Sequence, residues 1–157
     1  MKTKTWKEVT ELVQELKKKG KEIVFTNGCF DIIHAGHIQY LMDAKELGDV
    51  LIIGLNSDAS VKRLKGESRP INNENDRSFV LSALSMVDYV VIFDQDTPYE
   101  LINIIMPDFL VKGGDWKIKD IVGSEIVQAS GGVVRSLPFN KGYSTTDIIE
   151  KMKNETI

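Results

Sequence analysis

The stretch FTNGCFDIIHAGH, residues 25–37, decides how this sequence folds. Its left half continues an apolar run from Ile23 that stops at Asn27 and Gly28, the form of a short buried strand ending in a glycine turn. Its right half holds both histidines of the chain, His34 and His37, three apart with Gly36 between them. From Gly36 onward, Ile38, Leu41, Met42 and Lys45 fall at helical spacing until Gly48. Strand, polar glycine turn and helix in succession form the opening of a βαβ unit.

The same alternation continues outward. DVLIIGLNSD (49–58) is apolar on both faces, which suits a buried parallel strand. DYVVIF (88–93), FLVKGG (109–114) and VVRSLPF (133–139) read as three further strands. A helix over 5–19 buries Trp6, Val9, Leu12, Val13 and Leu16 and ends at Gly20. SVKRLKGESRPINNENDR (60–77) reads as a short helix followed by a mobile polar loop, and NDRSFVLSALSMV (75–87) as a helix, with Asp58 and Asp76 as candidate caps. Thr97, Pro98 and Glu100 predict a capped helix running to about Ile105, where Pro107 ends it. IVGSEIVQAS (121–130) stops at Gly131 and Gly132, and STTDIIEKMK (144–153) carries Ser144 as cap with Asp147 at the capping-box position.

These elements predict an α/β fold: a Rossmann-like, doubly wound, five-stranded parallel sheet, with its strands in spatial order 3-2-1-4-5 and helices on both faces. The expectation is one domain over 1–157, with the 5–19 helix packed on it. Leu41, Leu51, Ile53, Val90 and Leu110 are core candidates. Ligands of such sheets bind outside the carboxyl ends of the strands, where TNG, NSD, KGGD and the approach to STTD fall.

The totals narrow the function classes. A net charge of −3 argues against a nucleic-acid footprint and against a polybasic membrane anchor. One cysteine, Cys29, excludes an intrachain disulfide and fits a reducing compartment. No secretory signal or membrane-length apolar run is present, so the expected location is the cytoplasm.

The chemistry is read by elimination. GCFDIIHAG is not a Walker A loop, and no dinucleotide GxGxxG occurs. His34, His37 and Cys29 do not complete a convincing zinc set, and Cys29 between Gly28 and Phe30 is poorly placed as a nucleophile. A phosphate site fits better. A glycine-rich strand end presents backbone N–H groups, a helix N-terminus follows, and two imidazoles sit one turn apart. A purely structural role for both histidines stands beside that reading.

TNGCFDIIHAGH resembles the first signature of the HxGH nucleotidyltransferases, the cytidylyltransferase-like group, and STTD resembles the second. AKELGDVLIIGLNSDASVKRLKGESRPI, ENDRSFVLSAL, VDYVVIF, DTPYELINIIMPDFLVKGGD and GYSTTDII together resemble the adenylyltransferases of bacterial ADP-heptose synthesis, over about residues 20–150. The resemblance implies that His34 and His37 contact the ATP phosphates and that Lys65 closes over phosphate. It implies nucleotide contacts from Thr26, Asn27, Gly28, Phe30, Lys112, Gly113, Asp115, Ser144, Thr145 and Thr146. Acceptor contacts would come from Asp31, Asn56, Lys65 and Arg69. It further implies ATP as substrate, Mg2+ without a dedicated protein cage, a homodimer, and a separate heptose kinase, since the chain resembles the stand-alone form. A cytidylyltransferase acting on glycerol 3-phosphate or a related polyol phosphate shares both signatures, and an FMN adenylyltransferase is a third enzyme reading. A non-catalytic nucleotide sensor is the competing class.

Overall fold

The computed structural model describes residues 2–138 and 145–154. Six strands form one parallel sheet: β1 (Thr3–Lys4), β2 (Ile23–Gly28), β3 (Val50–Asn56), β4 (Tyr89–Phe93), β5 (Phe109–Gly113) and β6 (Val133–Leu137). Their order is β1-β4-β3-β2-β5-β6. The five strands expected from sequence stand in the expected order. The sixth, β1, is a two-residue strand added at the edge, where Thr3 pairs with Val90. Two residues carry no periodicity, so this strand has no sequence signal of its own.

The middle of the sheet is apolar because it is covered on both faces. Every residue of β3 is buried. Gly54 is required there, since a Cβ would lie 2.8 Å from Cζ of Phe25 on the neighbouring strand. On one face α2 (Ala35–Lys45) and α4 (Glu74–Ala83) cover Val24, Leu51, Ile53 and Val90 with Tyr40, Leu41 and Leu81. On the other, α1 (Trp6–Lys18), α5 (Tyr99–Ile105) and α6 (Ser124–Ala129) cover Ile23, Phe25 and Ile52. α1 is started by a Thr5–Glu8 capping box, and Trp6 donates from Nε1 to the Ile92 carbonyl at 2.9 Å. Val9 and Val13 then join Leu101 and Ile105 in the core, each contributing about 1.5–3 kcal/mol by full burial.

Helix starts differ from expectation in three places. α3 (Asp58–Lys65) is capped by Ser57 rather than Asp58, and α4 by Asn73 rather than Asp76. In each case the cap lies earlier in the chain, and the acidic residue falls inside the first turn, where the helix dipole also favours it. α5 begins at Tyr99 with Pro98 as N-cap and no side-chain cap bond, so the Thr97 capping box does not form. Glu100 instead meets the side chain of Gln95. α7 (Thr145–Asn154) closes the described chain; the predicted cap Ser144 lies outside the described residues. Among the described residues no helix is long and apolar enough to cross a membrane.

Candidate functional site

The site begins where β2 ends. At Gly28 a Cβ would come within 2.9 Å of the Phe30 ring, so glycine lets that ring fold back over the strand end. Phe30 itself takes a left-handed φ of 46°, a strained conformation for a non-glycine residue. The chain then turns through Asp31 into α2. His34 is the N-cap of α2, with extended backbone and a side chain that accepts from the His37 N–H at 3.3 Å. The three-residue spacing of the histidines is thus the spacing of a cap and its N3 partner. Because Nδ1 of His34 accepts, the proton of its neutral ring is on Nε2. The two rings stack, with centroids 3.9 Å apart and planes 20° apart.

His37 lines the cleft and packs its ring 5.2 Å from that of Phe30. Its Nδ1 is buried with no hydrogen-bond partner among the described residues. Burial, and secondarily the His34 ring, push its pKa from the ordinary 6.5 to about 4, with the Ile32 backbone pulling weakly the other way. Burial lowers the pKa of His34 as well. Folding therefore selects the neutral ring of His37. Between about pH 6.5 and 4 the unfolded chain binds a proton that the folded chain refuses. This contribution to stability is complete above that window and lost as pH falls through it. Denaturant midpoints should drop from pH 7.5 to pH 4.5, and drop less in His37→Gln; equal drops in the two proteins would refute the assignment.

A cleft of about 610 Å3 opens from this turn along the carboxyl edge of the sheet. β2 and its turn supply Asn27, Gly28, Cys29 and Phe30 to the floor. On one side stand Lys112, Gly113, Trp116 and Val122 from the end of β5 onward; on the other stand Asn56, Leu64 and Lys65 from β3 and α3. α7 brings Thr145 and Thr146 to the mouth, and Thr145 donates to the Ile32 carbonyl at 3.2 Å. The second motif of the sequence is thereby tied to the first.

The cleft is basic and partly dry. Lys112 reaches Asn27 Oδ1 at 3.3 Å and lies 5.9 Å from the Trp116 ring centroid. Burial lowers its pKa, Cys29 opposes that shift, and Lys65 adds to it. Burial pushes the Cys29 thiol up from 9.0, against the pull of Lys65, Arg77, Arg69 and Lys112. The thiol is protonated at neutral pH and a weak nucleophile. Cys29→Ser should keep most of the turnover, measured by steady-state kinetics; a large loss of kcat with intact folding and ATP binding would give the sulfur a chemical role.

Asp31 is buried, and its carboxylate is fully engaged within the chain. It accepts from Arg69 Nε at 2.6 Å and from the backbone N–H groups of Ile71 and Asn72. Burial alone would raise its pKa, but the Asn72 and Ile71 N–H groups and Arg69 outweigh it, and the net direction is down. The loop after α3 is therefore more firmly tied than its polar sequence suggests. Arg69 and Asp31 line the cleft together. Thr26 is fully buried, its hydroxyl paired with that of Tyr40 at 2.6 Å, and does not reach the cleft. Nor do the side chains of His34, which stands behind His37, and of Asp115, which is exposed beside Trp116. Ser144 lies outside the described residues.

Arg77 was hidden in the sequence as one of five cations in a polar segment. It is 2% exposed and donates to the carbonyls of Cys29, Asn56 and Asn72 and to the Asp58 carboxylate. It sews the ends of β2 and β3 to the loop and to α3. Its position in the first turns of α4, where helical spacing turns it toward the sheet, is the only signal that could have found it. Asp96 and Thr97 also line the cleft and were not singled out for it.

Comparison with known proteins agrees with this geometry. Residues 25–151 match the cytidylyltransferase-like family. The chain is 59% identical over 151 residues to the bifunctional protein HldE of a Nitratiruptor species, covering 96% of this chain and 32% of that protein. It is 60% identical over 149 residues to the protein of the same name from Campylobacter concisus, covering 94% and 31%. The chain thus spans about a third of the length of these curated relatives. The solved lipopolysaccharide core biosynthesis protein from Thermoplasma volcanium superposes with a TM-score of 0.62 at 30% identity, covering 80% of this chain and 100% of that one. A pantoate-beta-alanine ligase from Francisella tularensis shares the fold at 18% identity and a TM-score of 0.63, covering 100% and 78%. The family match spans most of the sheet and both motif-bearing helices, and on that ground the chain belongs to the cytidylyltransferase-like family.

Proposed function

We propose that the chain transfers an adenylyl group from ATP to D-glycero-β-D-manno-heptose 1-phosphate, giving ADP-heptose and pyrophosphate. The observation that carries this reading is the cleft's balance of charge. It offers a neutral imidazole, a half-buried ammonium, the exposed Lys65 and the half-buried Arg69, while its two carboxylates, Asp31 and Asp96, are each bound to an arginine. Such a site suits a reaction that needs electrostatic stabilisation and no strong general base. The acceptor phosphate is already largely ionised, its second pKa being about 6. Its oxygen attacks the α-phosphorus of ATP, and the bond to the β-phosphate oxygen breaks in line to release pyrophosphate. No proton need move in that step.

The residues then divide the work. The strand-end backbone at Asn27 and Gly28 and the start of α2 face the polyphosphate. His37 donates its N–H to a phosphate oxygen, held in orientation by the His34 stack. Trp116 and Val122 offer an apolar wall for the base, and Lys112 and Thr145 flank the phosphates. Lys65 and Arg69 take the acceptor phosphate, with Asp31 acting through Arg69. Thr146 and Ser144 are assigned to the nucleotide side, whereas Asp115, whose side chain stands outside the cleft, is given no contact. Magnesium would enter on the ATP phosphates and keep much of its water, neutralising charge there. Among the described residues no three His, Cys, Asp or Glu side chains gather into a cage for it. The acceptor would come from a sugar kinase, the protein would act as a homodimer, and its setting would be the cytoplasm.

The family's name favours one second reading, cytidylyl transfer to a polyol phosphate such as glycerol 3-phosphate. Steady-state assays pairing ATP or CTP with heptose 1-phosphate or glycerol 3-phosphate separate the two. The expected result is pyrophosphate release with ATP and the heptose only. Higher kcat/KM for CTP with glycerol 3-phosphate would replace the proposal.

A further inference from the structure

The cleft continues past Lys65 to the turn after β4, where Asp96 and Thr97 have no assigned task beside Asn56, an expected acceptor contact. Arg63 fixes this turn: it donates from Nε to Asp96 Oδ1 at 2.7 Å and from Nη2 to the Asp94 carbonyl. Asp96 Oδ2 is left without a hydrogen-bond partner among the described residues. The Thr97 hydroxyl is likewise unpaired there, because the capping box expected of it does not form. Asn56, which lines the same cleft, is 3% exposed and spends its Nδ2 on Ser60 Oγ at 3.0 Å, leaving Oδ1 without a hydrogen-bond partner among the described residues. Leu64 and Pro98 complete this end with apolar surface.

A carboxylate oxygen, a hydroxyl and an amide oxygen beside apolar side chains accept O–H donors and cover C–H faces. That is the chemistry of a polyhydroxylated carbon skeleton. A phosphate would be repelled by Asp96 and is better placed on Lys65 and Arg69, between this end and His37. The aromatic and half-buried ammonium groups on the β5 side, across β2, suit the nucleotide instead. The order along the cleft is then base, polyphosphate, acceptor phosphate, acceptor hydroxyls. We infer that Asp96, Thr97 and Asn56 form the subsite that reads the acceptor's hydroxyl groups and so set its preference for a sugar phosphate over a shorter phosphorylated alcohol. This deepens the transfer reading above and rests on it for the placement of the phosphates.

The test uses Asp96→Asn, which keeps an oxygen for Arg63 but removes the charge, and Thr97→Val. With the sugar phosphate that the wild type turns over, kcat/KM should fall about 10- to 100-fold in Asp96→Asn, mostly through KM, while KM for ATP is unchanged. Acceptors lacking single hydroxyls add a readout that a structural role would not move. One deoxy analogue should lose a similar factor with the wild type and nothing further with Asp96→Asn. Unchanged kcat/KM in Asp96→Asn, or equal losses with every deoxy analogue and with glycerol 3-phosphate, would overturn the subsite. Calorimetry with heptose 1-phosphate, glycerol 3-phosphate and inorganic phosphate separates the two layers of the argument. A wild type that binds the heptose compound tighter than phosphate, with the gain lost in Asp96→Asn, but releases no pyrophosphate, overturns transfer and supports the subsite. Binding no tighter than inorganic phosphate overturns the subsite.

Discussion

His37→Ala should lower kcat by about a hundredfold or more and change ATP affinity much less. The imidazole is neutral throughout the working range, since burial holds its pKa at about 4. It can therefore donate a hydrogen bond at no cost in protonation. In a partly dry cleft such a donor is strongest toward charge that builds in transit, and removing one from an unrelated oxyanion hole costs roughly 2.7–4 kcal/mol. An interaction made mainly in the transition state appears in kcat. His34 reaches the same end by another route. It caps α2 and stacks on His37, so His34→Ala loses about 0.5–2 kcal/mol of cap and frees the neighbouring ring. His34→Asn keeps a capping oxygen. Recovery of stability but not of kcat in His34→Asn would show that the ring itself matters, whereas recovery of both would reduce His34 to a cap. Near-wild-type kcat in His37→Ala would remove the role given to that residue.

Arg77→Met should destabilise the fold by about 3–5 kcal/mol in denaturant unfolding. The substitution leaves the carbonyls of Cys29, Asn56 and Asn72 without their buried donor, each worth roughly 1–3 kcal/mol when orphaned. The Asp58 pair adds less, because that carboxylate is 35% exposed. Arg77→Lys should recover only part of the loss, since an ammonium cannot span acceptors on both strand ends and the loop. A change below about 1 kcal/mol would mean that these carbonyls find water or other donors instead.

The sheet was legible because its strands are buried on both faces and read as apolar runs. Leu41, Leu51, Ile53, Val90 and Leu110 are all at most 1% exposed. β1 was not, since pairing of Thr3 and Lys4 with β4 depends on Trp6 anchoring α1 near Ile92. The turn at 25–37 was legible as a strand–turn–helix unit with histidines at its hinge. Their division into a cap and a cleft-lining group was not, because it depends on ring geometry. Thr26 shows a second limit: alternation along β2 sends its side chain into the core against Tyr40, although Asn27 beside it lines the cleft. Asp31 and Arg77 show a third. Their tasks are set by partners 40 and 48 residues away, beyond any local pattern.

The most direct test of nucleotidyl transfer is to follow ATP and heptose 1-phosphate with the wild-type protein by phosphorus NMR. The account predicts pyrophosphate and a sugar-linked diphosphate appearing in equal amounts as both substrates disappear. ATP that binds but stays intact would identify a sensor, and formation of ADP would identify phosphoryl rather than adenylyl transfer; either result would contradict the account.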